Sequence, residues 1–170
     1  MIDLENIKLH LGCGDRKLEG FVNIDNRKEC EPDLVLDIGI DRFPYPDGTV
    51  SEIVSNHAME HFPNFKGVVW DMGRVSKDGA IWVIEVPYLT TTLHNLANPY
   101  HVNQFSENTF RFWGDLYERE APSFFKLEIL ETHFDYNTDL WGEDNDWDEL
   151  RAKYLNVVTS MTQKIKVHKC

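Results

Sequence analysis

The sequence is poor in basic residues and has no long apolar run, and each of these shortages excludes a class of protein. Its 170 residues include 17 Lys and Arg against 29 Asp and Glu, which gives a formal net charge of −12. A nucleic-acid binder needs a basic surface to displace phosphate counterions, so we expect no nucleic-acid partner. No apolar run approaches the roughly 18 residues of a membrane span, and we expect no membrane partner.

Cysteine is also scarce. The three cysteines, Cys13, Cys30 and Cys170, are odd in number and scattered along the chain. This pattern indicates reduced thiols rather than a disulfide framework. The chain does not open with a basic segment followed by an apolar one, as a secretory leader does, and we therefore expect a cytoplasmic location. Its length and 42% hydrophobic content predict a single domain over residues 1–170.

The most informative stretch is a glycine turn between two short apolar segments. A predicted strand, Ile7–Leu11, ends at Gly12 and Gly14, and a second predicted strand, Phe21–Ile24, ends at Asp25. Glycine lacks a Cβ and therefore allows a ligand to approach the main chain closely. A carboxylate at the end of the next strand can accept hydrogen bonds from the two hydroxyls of a ribose. Together these features predict a nucleoside site.

Two other interpretations of this stretch remain open. A dinucleotide-binding fold has G-x-G-x-x-G and an acid about 20 residues further on. Here Lys17 occupies the position of the third glycine and Asp25 comes too early. The simplest alternative is a pair of turn glycines beside a solvated aspartate.

The segment LHLGCG, with a following strand that ends in Asp, resembles the first motif of the class I S-adenosylmethionine-dependent methyltransferases, of the type 11 kind. Four later segments resemble passages of the same family. They are FPYPDGTV at residues 43–50, HAMEH at 57–61, GRVSKDGAIWVIEVPY at 73–88 and NPYHVNQFS at 98–106. The resemblance therefore extends over most of the chain.

This resemblance implies an α/β, Rossmann-like methyltransferase fold with a seven-stranded, mostly parallel sheet and an antiparallel last strand. The remaining strands are expected at Leu34–Ile38, Ser51–Ser55, Ala80–Val86, Lys126–Phe134 and Leu155–Val167. Helices are expected from Asn64 to Val75 and from Ser106, as the cap, to Glu118. A loop is expected at 90–96, and an exposed loop or short helix at 137–149. The six residues Asp15–Gly20 are too few for a crossover helix. The first helix must therefore be reduced to a turn, unless these two strands are not parallel neighbours.

The resemblance also implies the cofactor, S-adenosylmethionine, and a set of residues around it. These are Leu11, Gly12, Cys13, Gly14, Asp25, Asn26, Asp37, Ile38, Asn56 and His57. Within this set, Asp25 would hold the ribose hydroxyls, and Asp37 with the backbone of Ile38 would hold the adenine. Cys13 is expected to pack rather than react.

For catalysis, a histidine is the best general base near neutral pH. We expect His101 in this role, with His57 as the second choice. A small-molecule acceptor suits the acidic composition, and a homodimer is one way to cover the cofactor. The two alternatives are a non-catalytic protein of this fold that binds a nucleoside or a partner chain, and an NAD-dependent oxidoreductase.

Residues 57–61 also read as H-x-x-E-H, the inverted zinc-peptidase motif. That motif belongs within a long helix, whereas Pro63 follows His61 almost at once. The sequence therefore predicts that His57 and His61 hold no metal.

Overall fold

The computed structural model describes residues 6–115 and 124–170, and seven strands in these ranges form one sheet. The strands are β1 (Ile7–Leu11), β2 (Val22–Asp25), β3 (Leu34–Val35), β4 (Val50–Asn56), β5 (Ser76–Pro87), β6 (Phe125–Tyr136) and β7 (Val158–Lys169). Their order is β3-β2-β1-β4-β5-β7-β6, with β7 antiparallel to both of its neighbours and the other pairs parallel. The predicted sheet and its antiparallel last strand are confirmed.

One face of the sheet carries the apolar core. Helix α1 (Phe65–Val75) connects β4 to β5, and Val68, Val69 and Met72 on it are buried. Its first turn is capped by the Asn64 side chain, which accepts a hydrogen bond from the backbone N–H of Gly67 at 3.2 Å. The apolar spacing of this segment predicted the helix, and the prediction is confirmed. Among the described residues, no helix is both long and apolar enough to cross a membrane.

The other face of the sheet is open over β4, β5 and β7. Lys8, Val83, His133 and Lys164 line a shallow groove of about 600 Å³ across it. Elsewhere in the sheet, β1 connects to β2 without a helix and β2 connects to β3 through one 3₁₀ turn, Lys28–Cys30. Strands β1 and β2 are nevertheless parallel neighbours, so the expected loss of the first helix is confirmed.

One buried amide holds this short crossover in place. The Asn23 side chain accepts a hydrogen bond from the Leu18 N–H at 2.8 Å and donates to the Leu18 carbonyl at 3.1 Å. It also donates to the Asp33 carboxylate at 2.8 Å, and its oxygen lies 3.1 Å from Nδ1 of His10. A single side chain therefore connects β1, the crossover and the link to β3, a task that a packed helix performs in a longer chain.

We expect Asn23→Ala to lower the free energy of unfolding by roughly 2–4 kcal/mol, because several buried polar groups lose their partners together. Urea denaturation followed by circular dichroism measures this. The matched control is Asn145→Ala, an exposed asparagine that donates to two backbone carbonyls and should change stability by less than about 0.5 kcal/mol. Equal losses in the two variants would show that Asn23 is not the tether.

Several predicted boundaries were wrong for local reasons. Strand β3 ends at Val35 rather than Ile38, since the Asp37 carbonyl accepts hydrogen bonds from the N–H groups of Ile40 and Asp41 and closes a turn. Strand β5 begins at Ser76 rather than Ala80, with an irregularity that includes Gly79 at φ +77°. Strand β7 covers Val158–Lys169 rather than 155–167.

The second predicted helix was also wrong in its described part. Instead of a helix from Ser106, the chain forms a 3₁₀ turn at Phe110–Trp113, and the predicted residues 116–118 lie outside the described ranges. Ser106 accepts from the Asn108 N–H in a local turn, which competes with helix formation. The predicted loop at 90–96 contains a π turn, Thr92–Leu96.

The acidic segment after β6 forms two short helices, α2 (Thr138–Trp141) and α3 (Trp147–Lys153). Trp147 stacks on Tyr136 with ring centroids 4.5 Å apart. The indole N–H of Trp141 donates to the Asn156 carbonyl at 3.2 Å. Both tryptophans therefore anchor the segment to the sheet.

Candidate cofactor site

A cavity of about 820 Å³ lies where β1, β2 and β4 end. Six residues predicted from the sequence line it: Gly12, Asp25, Asn26, Asp37, Ile38 and His57. Seven further residues line it that the sequence did not indicate as cofactor-binding: Arg27, Leu36, Ala58, His61, Phe62, Pro63 and Tyr100. The carboxyl ends of parallel strands are the usual ligand edge of an open α/β sheet.

Four predicted cofactor residues do not line the cavity. Leu11 belongs to the apolar core, and Cys13 is a buried free thiol whose pKa is raised by burial and then by the Asp25 carboxylate. Gly14 acts through its backbone, as described below, and Asn56 is exposed. The expectation that Cys13 packs rather than reacts agrees with its burial.

The glycine turn brings β1 against the loop that follows β4. Gly12 has φ +64°, and a Cβ added to it would lie 2.4 Å from the Cβ of Ala58. Any side chain at this position would therefore force the two loops apart. Glycine is therefore required here for steric as well as conformational reasons. The two loops in close contact form one wall of the cavity.

A matched pair of glycines separates these two requirements. Gly48 has φ +71° and no atom within 4 Å of an added Cβ, so Gly48→Ala tests the backbone conformation alone. We expect Gly48→Ala to cost about 1–2 kcal/mol of unfolding free energy. Gly12→Ala should cost about 1–3 kcal/mol more, because it also overpacks the loop contact. Denaturant unfolding of both variants measures the difference, and equal costs would contradict the close contact.

The Asp25 carboxylate is fixed by hydrogen bonds from two backbone N–H groups. One carboxylate oxygen accepts from the Gly14 N–H at 2.8 Å, and the other accepts from the Arg27 N–H at 2.9 Å. Burial raises the pKa of Asp25, but these two backbone donors and the Arg27 side chain outweigh burial and hold the pKa below its usual value. The group is thus an ionised acceptor. Oδ1 also accepts from the Arg27 side chain at 3.3 Å, whereas Oδ2, which accepts from the Gly14 N–H, keeps a lone pair for a ligand hydroxyl.

The second predicted acid, Asp37, follows β3 on the same cavity. Its carboxylate accepts from the Gly39 N–H at 3.1 Å, which fixes the turn beyond β3. The neighbouring Ile38 is buried and contributes apolar surface. The pair is therefore available to a flat heterocycle entering the cavity.

His57 lies on the cavity wall in an unusual backbone conformation, φ +50°. Its Nε2 is 3.1 Å from the Glu85 carboxylate, and its Nδ1 is 3.6 Å from Oε1 of Glu60. The contact with Glu60 raises the pKa of His57 against the opposing effect of burial. Left-handed non-glycine residues cost energy and are frequent at functional sites.

His101 lies behind this wall. Its side chain is only 7% exposed, its ring contacts that of His61 edge-on at 4.7 Å, and burial lowers its pKa. The sequence ranked His101 above His57 as the base, but of the two only His57 lines the cavity. The long helix that the H-x-x-E-H motif requires is not formed, since His57 precedes a 3₁₀ turn, Met59–His61.

No protein-family profile matches the sequence, and no curated protein is similar to it. Solved structures do match. An S-adenosylmethionine-dependent methyltransferase of Archaeoglobus fulgidus has a TM-score of 0.58 and 16% identity, over 97% of this chain and 87% of that one. The fold is that of the class I methyltransferases.

Two further matches show how widely this fold is used. Coclaurine N-methyltransferase, solved with N-methylheliamine and SAH, has a TM-score of 0.56 and 11% identity, over 98% of this chain and 68% of that one. The (4+2)-cyclase SpnF has a TM-score of 0.62 and 10% identity, over 95% of this chain and 74% of that one. At these identities the likeness establishes the fold, and the activity must be argued from the site.

Proposed function

We propose that the chain is a methyltransferase that binds S-adenosylmethionine and transfers its methyl group to a small-molecule acceptor. The observation that carries the proposal is the Asp25 carboxylate, held ionised by the Gly14 and Arg27 backbone at the mouth of an 820 Å³ cavity. An anionic acceptor at that strand end suits the two hydroxyls of a ribose, and the cavity is large enough for a nucleoside with a side chain.

The chemistry requires little from the protein beyond alignment. The methyl carbon is attacked from the side opposite sulfur, the S–CH₃ bond breaks, and sulfur keeps the electron pair and becomes the thioether of S-adenosylhomocysteine. The acceptor atom gains the methyl group and must lose a proton if it is a hydroxyl or a protonated amine. Holding the two reactants in line supplies most of the acceleration.

His57 is the proposed proton acceptor. It lines the cavity, and its contact with Glu60 raises its pKa, which means that the protonated ring formed by taking a proton is stabilised. Glu85, 3.1 Å from Nε2, and Glu60, 3.6 Å from Nδ1, orient the ring and stabilise the positive charge that it carries after taking a proton. This arrangement favours acceptors that carry a proton, such as alcohols and amines.

The experiment that tests the proposal is an acceptor screen. The protein is incubated with S-adenosylmethionine and pools of hydroxylated and amine metabolites, and release of S-adenosylhomocysteine is measured. We expect at least one pool to raise the release well above the rate without acceptor. A protein that binds S-adenosylmethionine but shows no release with any pool would favour the non-catalytic alternative.

A further inference from the structure

Glu60 is a buried carboxylate surrounded by histidines. It is only 1% exposed, and its Oε1 lies 4.0 Å from Nε2 of His61 and 3.9 Å from Nε2 of His101. Its second oxygen, Oε2, is buried and has no hydrogen-bond partner within the described ranges. The nearest charged partner of Glu60 is His57, whose Nδ1 lies 3.6 Å from Oε1, and a positive ion beside the unpartnered Oε2 would further offset the cost of burying this carboxylate.

The orientation of the His61 ring indicates that the positive group suited to this position is a metal ion. Its Nδ1 lies 3.1 Å from the Tyr100 carbonyl, which can only accept, so Nδ1 carries the proton. The unprotonated Nε2 is therefore the nitrogen that is directed at Glu60. Metal-ligating histidines are fixed in this way, with the far ring N–H donated to a carbonyl or carboxylate.

The segment that carries His101 is fastened to the turn that carries Glu60. The Glu60 carbonyl accepts from the N–H groups of Val102 and Asn103, at 2.9 and 3.2 Å. The Asn103 side chain donates to the carbonyls of Met59 and Phe62, at 3.1 and 2.8 Å. These hydrogen bonds hold Glu60 and His101, which are distant in sequence, close together in the fold. A site whose backbone is fixed in this way is preorganised.

We infer that Glu60, His61 and His101 form a site for a divalent transition metal. Their ligand atoms all lie within 4.8 Å of one another. Ligands bound to zinc at 2.0–2.2 Å in a tetrahedron are about 3.4 Å apart, so a modest contraction of the cluster completes the site. The mixed nitrogen and oxygen set suits zinc or cobalt better than magnesium. This inference replaces the expectation, drawn from His57 and His61 alone, that no metal is bound.

The position of the site gives the metal a role that rests on the proposed function. Of the three ligands, His61 lines the cavity while Glu60 and His101 are buried beside it, so a metal held by all three would lie next to the cavity wall, and three protein ligands leave a fourth position for another ligand. A hydroxyl of the acceptor can take that position. A metal held by Glu60, His61 and His101 would supply a Lewis acid that lowers the pKa of this hydroxyl, and His57 on the cavity wall would be placed to receive its proton. The acceptor class is thereby narrowed to hydroxylated small molecules.

The test is direct metal binding to the whole chain. Protein treated with chelator and dialysed is titrated with Zn²⁺ by calorimetry, and with Co²⁺ by visible absorption, which reports the coordination number and geometry of the bound ion. We expect one Zn²⁺ per chain, a rise in melting temperature with zinc, and no comparable effect of Mg²⁺. Failure of the parent protein to bind either ion would overturn the inference and would leave Glu60 paired with His57 alone.

Three variants locate the site. Glu60→Gln and His101→Ala should each weaken Zn²⁺ binding by about 10–100-fold or more. His168→Ala removes an exposed histidine, 2.7 Å from the Glu128 carboxylate, and should bind zinc as the parent does. Circular dichroism checks the fold of each variant. If Glu60→Gln does not fold, the cobalt spectrum of the parent protein still tests the metal site. Unchanged affinity in both site variants would place the metal elsewhere and contradict the inference.

Calorimetry with S-adenosylmethionine on the same chelator-treated protein separates this inference from the proposed function. Cofactor binding without zinc binding would refute the metal site and leave the methyltransferase proposal standing. Zinc binding without cofactor binding would refute the methyltransferase proposal and leave the metal site standing.

Discussion

Replacing Asp25 with alanine is expected to weaken S-adenosylmethionine binding by about 2–4 kcal/mol, which is roughly 30- to 1,000-fold in affinity. The reason is that Asp25 is ionised, buried and placed at the cavity, where its carboxylate can accept hydrogen bonds from ribose hydroxyls. Calorimetric titration of parent and variant measures the change. Equal affinities, with the fold intact, would remove Asp25 from the cofactor site.

The Asp25 variant needs a control, because the same carboxylate also holds the Gly14 and Arg27 backbone. Asp33 provides one. It accepts hydrogen bonds from the backbone and side chain of Asn23, both at 2.8 Å, and it does not line the cavity. We expect Asp33→Ala to lose stability while keeping its affinity for the cofactor. Loss of affinity in both variants would indicate a general disturbance of the β2 region instead of a lost ribose contact.

Replacing His57 is expected to reduce turnover by roughly 10²–10⁴-fold, the usual range for a positioned acid or base. Asparagine is the better substitution than alanine, because it tolerates the left-handed backbone at φ +50° and isolates the loss of the base. Cofactor affinity should remain within about 10-fold of the parent. The measurement is the release of S-adenosylhomocysteine with an acceptor from the screen, together with the pH dependence of the rate.

The control for His57→Asn is His133→Ala, which removes an exposed histidine 3.5 Å from Asp135 on the open face of the sheet. This variant should turn over at the parent rate. Full turnover by His57→Asn on a genuine acceptor would make His57 structural. Loss of cofactor binding would assign His57 to the nucleoside instead of the acceptor.

The individual strands and helix α1 could be predicted because their apolar patterns are local and strong, whereas the number and directions of the strands came from the resemblance to the methyltransferases. The glycine turn and Asp25 were found for the same reason, since a strand, two glycines and an acid follow one another along the chain. The end of β3 and the 3₁₀ turn at Phe110–Trp113 could not be predicted, because turns closed by Asp37 and Ser106 override the apolar pattern. The spacing of apolar residues does not show where a side-chain hydrogen bond to the backbone replaces a helix or strand.

The histidine cluster shows the limit of sequence reasoning most clearly. His61 was noticed as part of a motif, and His101 as a candidate base, but nothing local connects the two. They meet because the segment after β5 returns over the turn after β4 and is held there through the Glu60 carbonyl and Asn103. Leu36 and Phe62 also line the cavity, and the sequence did not indicate either of them as a site residue.

Titration of the parent protein with S-adenosylmethionine and, separately, with NAD tests the central claim most directly. The account predicts saturable binding of one S-adenosylmethionine per chain, lost in Asp25→Ala, and no measurable binding of NAD. Binding of NAD in preference to S-adenosylmethionine, or binding of neither by folded protein, would contradict it.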